Sequence, residues 1–142
     1  MSTTLAVRFH ELDPYGHVNH VVYLTYLEVA RVEHLEGRGI SLLDLSARTG
    51  TQLVVTELTA RYLAPAVAGD RLEVTCTLTE LRRASARFHQ EIRRDGDALL
   101  QAEVRTATLD RDGRPRAMPR SLAAALSLAT DTGRPSPAPG LP

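Results

Sequence analysis

The hydrophobic pattern of this chain switches between helical and alternating periods. Between residues 20 and 37 the spacing is helical: Val21, Leu24, Glu28, Val32 and Leu35 share one face, and Tyr23, Leu27, Ala30 and His34 share another. Apolar residues on more than one face predict a long helix buried nearly all round. Asn19 precedes it as an N-cap, and Gly37 and Gly39 end it. Ahead of the helix, Leu5, Val7 and Phe9 alternate with Ala6, Arg8 and His10, which predicts a first strand. Asp13-Pro14-Tyr15-Gly16 then has the chemistry of a tight turn. Ser41 to Ala47 predicts one short helical turn. From Thr51 onward the period is two. Strands are expected over 52–63, around Leu72 to Leu78, around Ala86 to Ile92 and around Leu100 to Thr106. Asp95-Gly96 is a hairpin signal and Asp112-Gly113 closes the last strand. Pro119 to Ala129 reads as a short Ala/Leu helix.

The resulting order is strand, long helix, four antiparallel strands, short helix. It is an α+β arrangement in which one sheet must wrap the helix to bury it. A single domain is expected over 1–130. Residues 131–142 hold four prolines and little to bury, so they are expected to be a disordered tail. Open sheet edges invite pairing with a second copy.

Composition narrows the partners. The 17 basic and 17 acidic residues cancel, against the basic excess of a nucleic-acid binder. All the basic residues are arginine, so any phosphate grip would use planar forks. No apolar run reaches the length of a membrane span, and the N-terminus does not read as a secretory signal. The one cysteine, Cys76, falls on a strand and reads as a small buried hydrophobe. These features point to the cytoplasm.

Chemistry concentrates at the helix entry. A carboxylate can attack a carbonyl carbon or take a proton from water, and the free amides of a helix start, near His20 and Val21, can hold developing negative charge. The bland alternative is that Asp13 merely bonds amides of its own turn. His10, His17 and His20 match no zinc spacing, and no metal is expected. Glu57 is a rival acid on the first long strand.

The segment Asp13-Pro-Tyr-Gly-His-Val-Asn-His-Val-Val-Tyr23, followed by Glu28 and Arg31, resembles the signature of hot-dog-fold thioesterases. The nearest subgroup is the 4-hydroxybenzoyl-CoA thioesterase type of acyl-CoA hydrolase. The likeness covers roughly residues 3 to 110. It takes in Tyr62, Pro65, Gly69-Asp70 and Glu80-Leu-Arg-Arg-Ala-Ser85. The resemblance implies a hot-dog fold, an antiparallel sheet around one central helix, with two units pairing into one continuous sheet. It implies hydrolysis of an acyl-CoA or acyl-carrier-protein thioester, with Asp13 as nucleophile or base and the His20 backbone N–H on the thioester oxygen. Coenzyme A would be part of the substrate, with no further cofactor. Gly16, His17 and Asn19 fall in the loop expected to meet substrate. Arg82, Arg83 and Ser85 occupy a position where relatives contact the nucleotide phosphates. Tyr23, Leu27 and Thr59 are candidates to line the acyl pocket. Glu28 and Arg31, three residues apart, are expected to pair structurally. A dimer or tetramer is expected, with the pocket at the seam. Two rival readings are an acyl-CoA-sensing domain without catalysis and a hydroxyacyl-thioester dehydratase, for which only His34 beside Glu33 offers a mid-helix His with an acid.

Overall fold

The computed structural model describes residues 2–132. Strand β1 (Ser2–Ala6) leads through a 3-10 turn (Phe9–Glu11) and a tight loop into helix α1 (Val22–Glu36). Helix α2 (Leu42–Thr49) follows, then β2 (Gln52–Tyr62), β3 (Arg71–Thr75), β4 (Thr77–Leu81), β5 (Ser85–Arg94), β6 (Asp97–Leu109) and helix α3 (Arg120–Thr132). The strands form one antiparallel sheet in the order β1-β3-β5-β6-β2, with β4 also paired to β5.

The sheet curls around α1. Tyr23, Tyr26, Leu27, Ala30, His34 and Leu35 are the buried residues of the helix. They pack on inward-facing sheet residues such as Leu72, Val74, Phe88 and Ile92, each at most 1% exposed. Gln90 is fully buried beneath the helix, its amide donating to the carbonyls of Leu27 (3.0 Å) and Thr75 (3.2 Å). The C-terminus of α1 closes as expected from its glycines. Gly39 adopts φ +87°, which admits the Ile40 N–H to the Leu35 carbonyl at 3.0 Å.

Four expectations need correction. Burial of α1 is one-sided within the chain: Thr25, Glu28 and Val29 are exposed, while the buried side of the helix packs on β1, β3 and β5. The first strand stops at Ala6, and Phe9 is 82% exposed because the 3-10 turn rotates it out of the alternation. The third expected strand is two, β3 and β4. At the break, the Gln90 amide takes the Thr75 carbonyl, and the Thr75 hydroxyl takes the Glu91 N–H at 2.9 Å, so side chains replace ladder bonds. Cys76 at the join stays 2% exposed, and burial pushes its thiol up to about 12. Finally, α3 extends to Thr132, past the expected Ala129. The remainder of the expected tail, 133–142, lies outside the described residues. No helix among the described residues is long and apolar enough to cross a membrane.

Candidate active site

Asp13 builds its own turn. Its Oδ1 accepts the N–H groups of Tyr15 (2.9 Å) and His17 (3.1 Å), and its N–H donates to the His17 carbonyl at 2.6 Å. Gly16, at φ +81°, turns the chain so that its N–H reaches the Asp13 carbonyl. The bland role of Asp13 is therefore real for one oxygen. The second, Oδ2, has no partner among the described residues.

The loop then enters α1. Val18 is 3% exposed and donates to the Ala66 carbonyl at 2.9 Å. The Asn19 N–H donates to the Glu11 carbonyl, and its carbonyl accepts from Val22. Asn19 Oδ1 accepts the Val21 N–H at 2.9 Å. α1 starts at Val22 with Val21 at its N-cap position and no side-chain cap, so Asn19, expected as the cap, instead closes a turn just ahead of the helix, and Val21 has no free amide to offer. The His20 N–H does: it has no acceptor among the described residues, and His20 itself is exposed. Because the Asp13 and His17 backbones are hydrogen-bonded, and His20 is three residues on, the two backbones lie within about 11–14 Å.

Glu11 is the acid that pattern reading missed. Its side chain is 12% exposed, and its Oε1 accepts the Tyr26 hydroxyl (2.7 Å) and the Arg8 N–H (2.9 Å). Burial alone would raise its pKa; the Arg8 amide, the Tyr26 hydroxyl and the Arg8 charge more than offset this and hold it low. Its bonds tie the 3-10 turn to α1.

Other candidates separate by place. Tyr23 is 3% exposed and its hydroxyl accepts the Ala66 N–H at 3.0 Å, so it braces the loop from inside the core. Leu27 is fully buried. Thr59 lies on the face of the sheet away from α1. A bulge between Val55 and Glu57 shifts the alternation, putting Leu58 and Ala60 inward and Thr59 outward beside Glu103. Glu57 faces outward too, 3.7 Å from Arg105. Arg31 does not pair with Glu28; it donates to Gln90 Oε1 at 2.9 Å. His34 is 2% exposed with neither ring nitrogen bonded, and Glu33 accepts from Thr3, so no His–acid pair forms on mid-helix. Among the described residues no three His, Cys, Asp or Glu gather as a metal site.

Two clefts adjoin these elements. One, about 390 Å³, lies between α1 and β2 and is lined by Glu28, Arg31, Val32, Leu53, Val55 and Phe88 among others. The second, about 320 Å³, opens on the outer face of the sheet between Glu80, Arg82, Ser85, Arg87 and Arg105. Arg82 is held there by Glu80 at 2.9 Å, while Arg83 is exposed outside that lining. Arg87 and Arg105 face each other across β5 and β6, a like-charge pair that spacing along the chain does not reveal.

The Asp13 loop and the arginines lie at opposite ends of the sheet. Ser85 is level with Ala107 and so with Val54, whereas Tyr62, which contacts His20, is level with Leu100. Eight residues of β2 separate these levels, roughly 26 Å.

Comparison with known proteins agrees with this architecture. Residues 7–126 match the model of the Thioesterase-like superfamily. The chain belongs to that family. It is 35% identical over 120 residues to the chloroplastic acyl-acyl carrier protein thioesterase ATL3 of Arabidopsis thaliana, covering 83% of this chain. The match spans 63% of the length of ATL3, under two thirds of that protein. The acyl-CoA thioester hydrolase YbgC of Escherichia coli is 35% identical over 131 residues, covering 87% of this chain and 97% of YbgC. A thioesterase of Thermus thermophilus, solved with coenzyme A and zinc, superposes with a TM-score of 0.76 at 30% identity, covering 88% of this chain and 95% of that one. The fold is the hot-dog fold.

Proposed function

We propose that this protein hydrolyses acyl thioesters, carried on coenzyme A or on an acyl carrier protein, to a free acid and a thiol. The observation that carries the reading is the unpartnered His20 N–H at the entry to α1, in the same short loop as a carboxylate with one oxygen uncommitted. The acyl carbonyl would accept from that N–H, and the positive end of the helix dipole would favour the negative charge that develops on it. Asp13 Oδ2 would either attack the carbonyl carbon, expelling the thiolate and leaving an anhydride that water then opens to the free acid, or take a proton from a water that attacks the carbon and expels the thiolate directly. The reaction needs no redox group. Family membership and the printed activities of ATL3 and YbgC support the same class of chemistry.

In this reading the working form is a dimer in the cytoplasm. β2 ends the sheet with an unpaired edge among the described residues, and α1 leaves a partly apolar strip beside it, with Val21 55% and Val29 38% exposed. Antiparallel pairing of two β2 strands would bring the catalytic loop of one chain toward Arg82, Arg83 and Ser85 of the other. Arg87 and Arg105 would widen that cationic site for the phosphates of coenzyme A.

The test is Asp13→Asn, which keeps an acceptor oxygen for the Tyr15 and His17 amides. Thiol release from acyl-CoAs should drop by about 10³-fold or more with the melting temperature preserved. Turnover close to wild type would remove Asp13 from the chemistry.

A further inference from the structure

We propose that Tyr62 is a positioning residue for the reaction: its hydroxyl clamps the peptide that aims the His20 N–H. The inference rests on the reading of that N–H as the donor to the thioester oxygen. The Tyr62 hydroxyl donates to the His20 carbonyl at 2.6 Å, and among the described residues it is the only donor that carbonyl has.

Three bonds together determine where the free N–H points. A peptide unit is a rigid plane with its N–H and C=O on opposite sides. The plane joining His20 to Val21 is pinned at both ends, its N–H by Asn19 Oδ1 at 2.9 Å and its C=O by Tyr62. The preceding plane carries the His20 N–H, and its opposite end, the Asn19 carbonyl, is held by Val22 at 2.9 Å. With both planes fixed, the His20 N–H is directed outward from the loop. Removing the Tyr62 hydroxyl leaves the His20–Val21 plane held at its N–H end alone, so it can rock about the His20 Cα and loosen the aim of the donor beside it.

Tyr62 is itself held in register. Its ring meets Tyr23 edge-on, centroids 5.4 Å apart at 70°. The Tyr23 hydroxyl receives Ala66, and the Ala66 carbonyl receives Val18, so residues 62–66 grip the loop at two points. One Arg94 nitrogen bonds both the Pro65 carbonyl (3.1 Å) and Asp70 Oδ2 (2.6 Å), and the same oxygen receives the Val67 N–H at 2.9 Å. Tyr62, Pro65 and Asp70 thus belong to one brace around the catalytic loop. Tyr62 remains 48% exposed, so core filling does not account for it.

The Tyr62→Phe variant keeps the ring and removes the clamp. We expect kcat for acyl-CoA hydrolysis to fall by about 10- to 100-fold, with KM within about 3-fold and the melting point little changed. A ring that merely packs would show no such split. The direct readout is the infrared carbonyl stretch of a ¹³C-labelled acyl-CoA bound to the Asp13→Asn protein. That band should lie below its position in water, and most of the shift should vanish in the Asp13→Asn, Tyr62→Phe double variant. A kcat within twofold of wild type, or a shift that survives in the double variant, overturns the role of Tyr62 and leaves the N–H reading intact. Absence of any shift in Asp13→Asn alone overturns both. A wild-type protein that releases no thiol from any acyl thioester sinks the activity itself.

Discussion

A carboxylate held by two backbone amides has one fixed orientation, and that is the condition of Asp13. Lengthening the side chain should be as damaging as neutralising it. Asp13→Glu keeps the charge, yet its extra methylene moves both oxygens away from the Tyr15 and His17 amides. We expect it to lose at least about 10²-fold in kcat/KM, read by thiol release, with a lower melting temperature because the turn loses its bonds. This part of the site was legible in the sequence because its bonds are local: donors and acceptor lie within four positions. Thr59 was not legible, because one bulge near Thr56 reverses which side of the sheet every later residue of β2 faces. Arg87 and Arg105 were not either, since they meet only through strand register. His34 carries a further residue-scale consequence. Burial, then the nearby Arg38 charge, lowers its pKa from 6.5 to about 4. The unfolded chain therefore takes up a proton between pH 6.5 and 4 that the folded chain refuses, and stability falls as pH drops through that window. The loss should approach about 3 kcal/mol near pH 4, and His34→Leu should flatten that part of a denaturation-against-pH curve.

At the scale of elements, α1 is held down by polar as well as apolar contacts. Gln90, fully buried, joins Leu27 of the helix, Thr75 of β3 and Arg31 in one network. Gln90→Leu has nearly the same volume but strands the Arg31 guanidinium and the Thr75 carbonyl. It should cost about 2–4 kcal/mol in urea denaturation. The same residue explains why one expected strand is two: an inward polar side chain on β5 takes over a ladder bond on its neighbour, which hydrophobic alternation cannot report. The long helix was the most legible element, since its period and its end signals agree. Its one-sided burial was hidden because apolar residues that stay exposed and those that enter the core look alike in sequence.

For the whole molecule, the distance between the Asp13 loop and the arginine cluster makes a complementation test possible. Asp13→Asn chains should be inactive, and Arg82→Gln, Arg83→Gln chains should show a raised KM for CoA esters. Co-expressed, they should form mixed dimers in which one of the two sites has both parts intact, restoring low-KM turnover to about half the wild-type level in the isolated mixed dimer and about a quarter in the random mixture. Additive defects without recovery would place both parts in one chain. The sheet also has unequal margins. One ends in β2, eleven residues long; the other is made of β1 and β4, five residues each. Two copies joined along their long margins would keep only short ones outward, too little template for a third sheet to add. Edge-to-edge growth of the sheet would then stop at two copies and give no fibre.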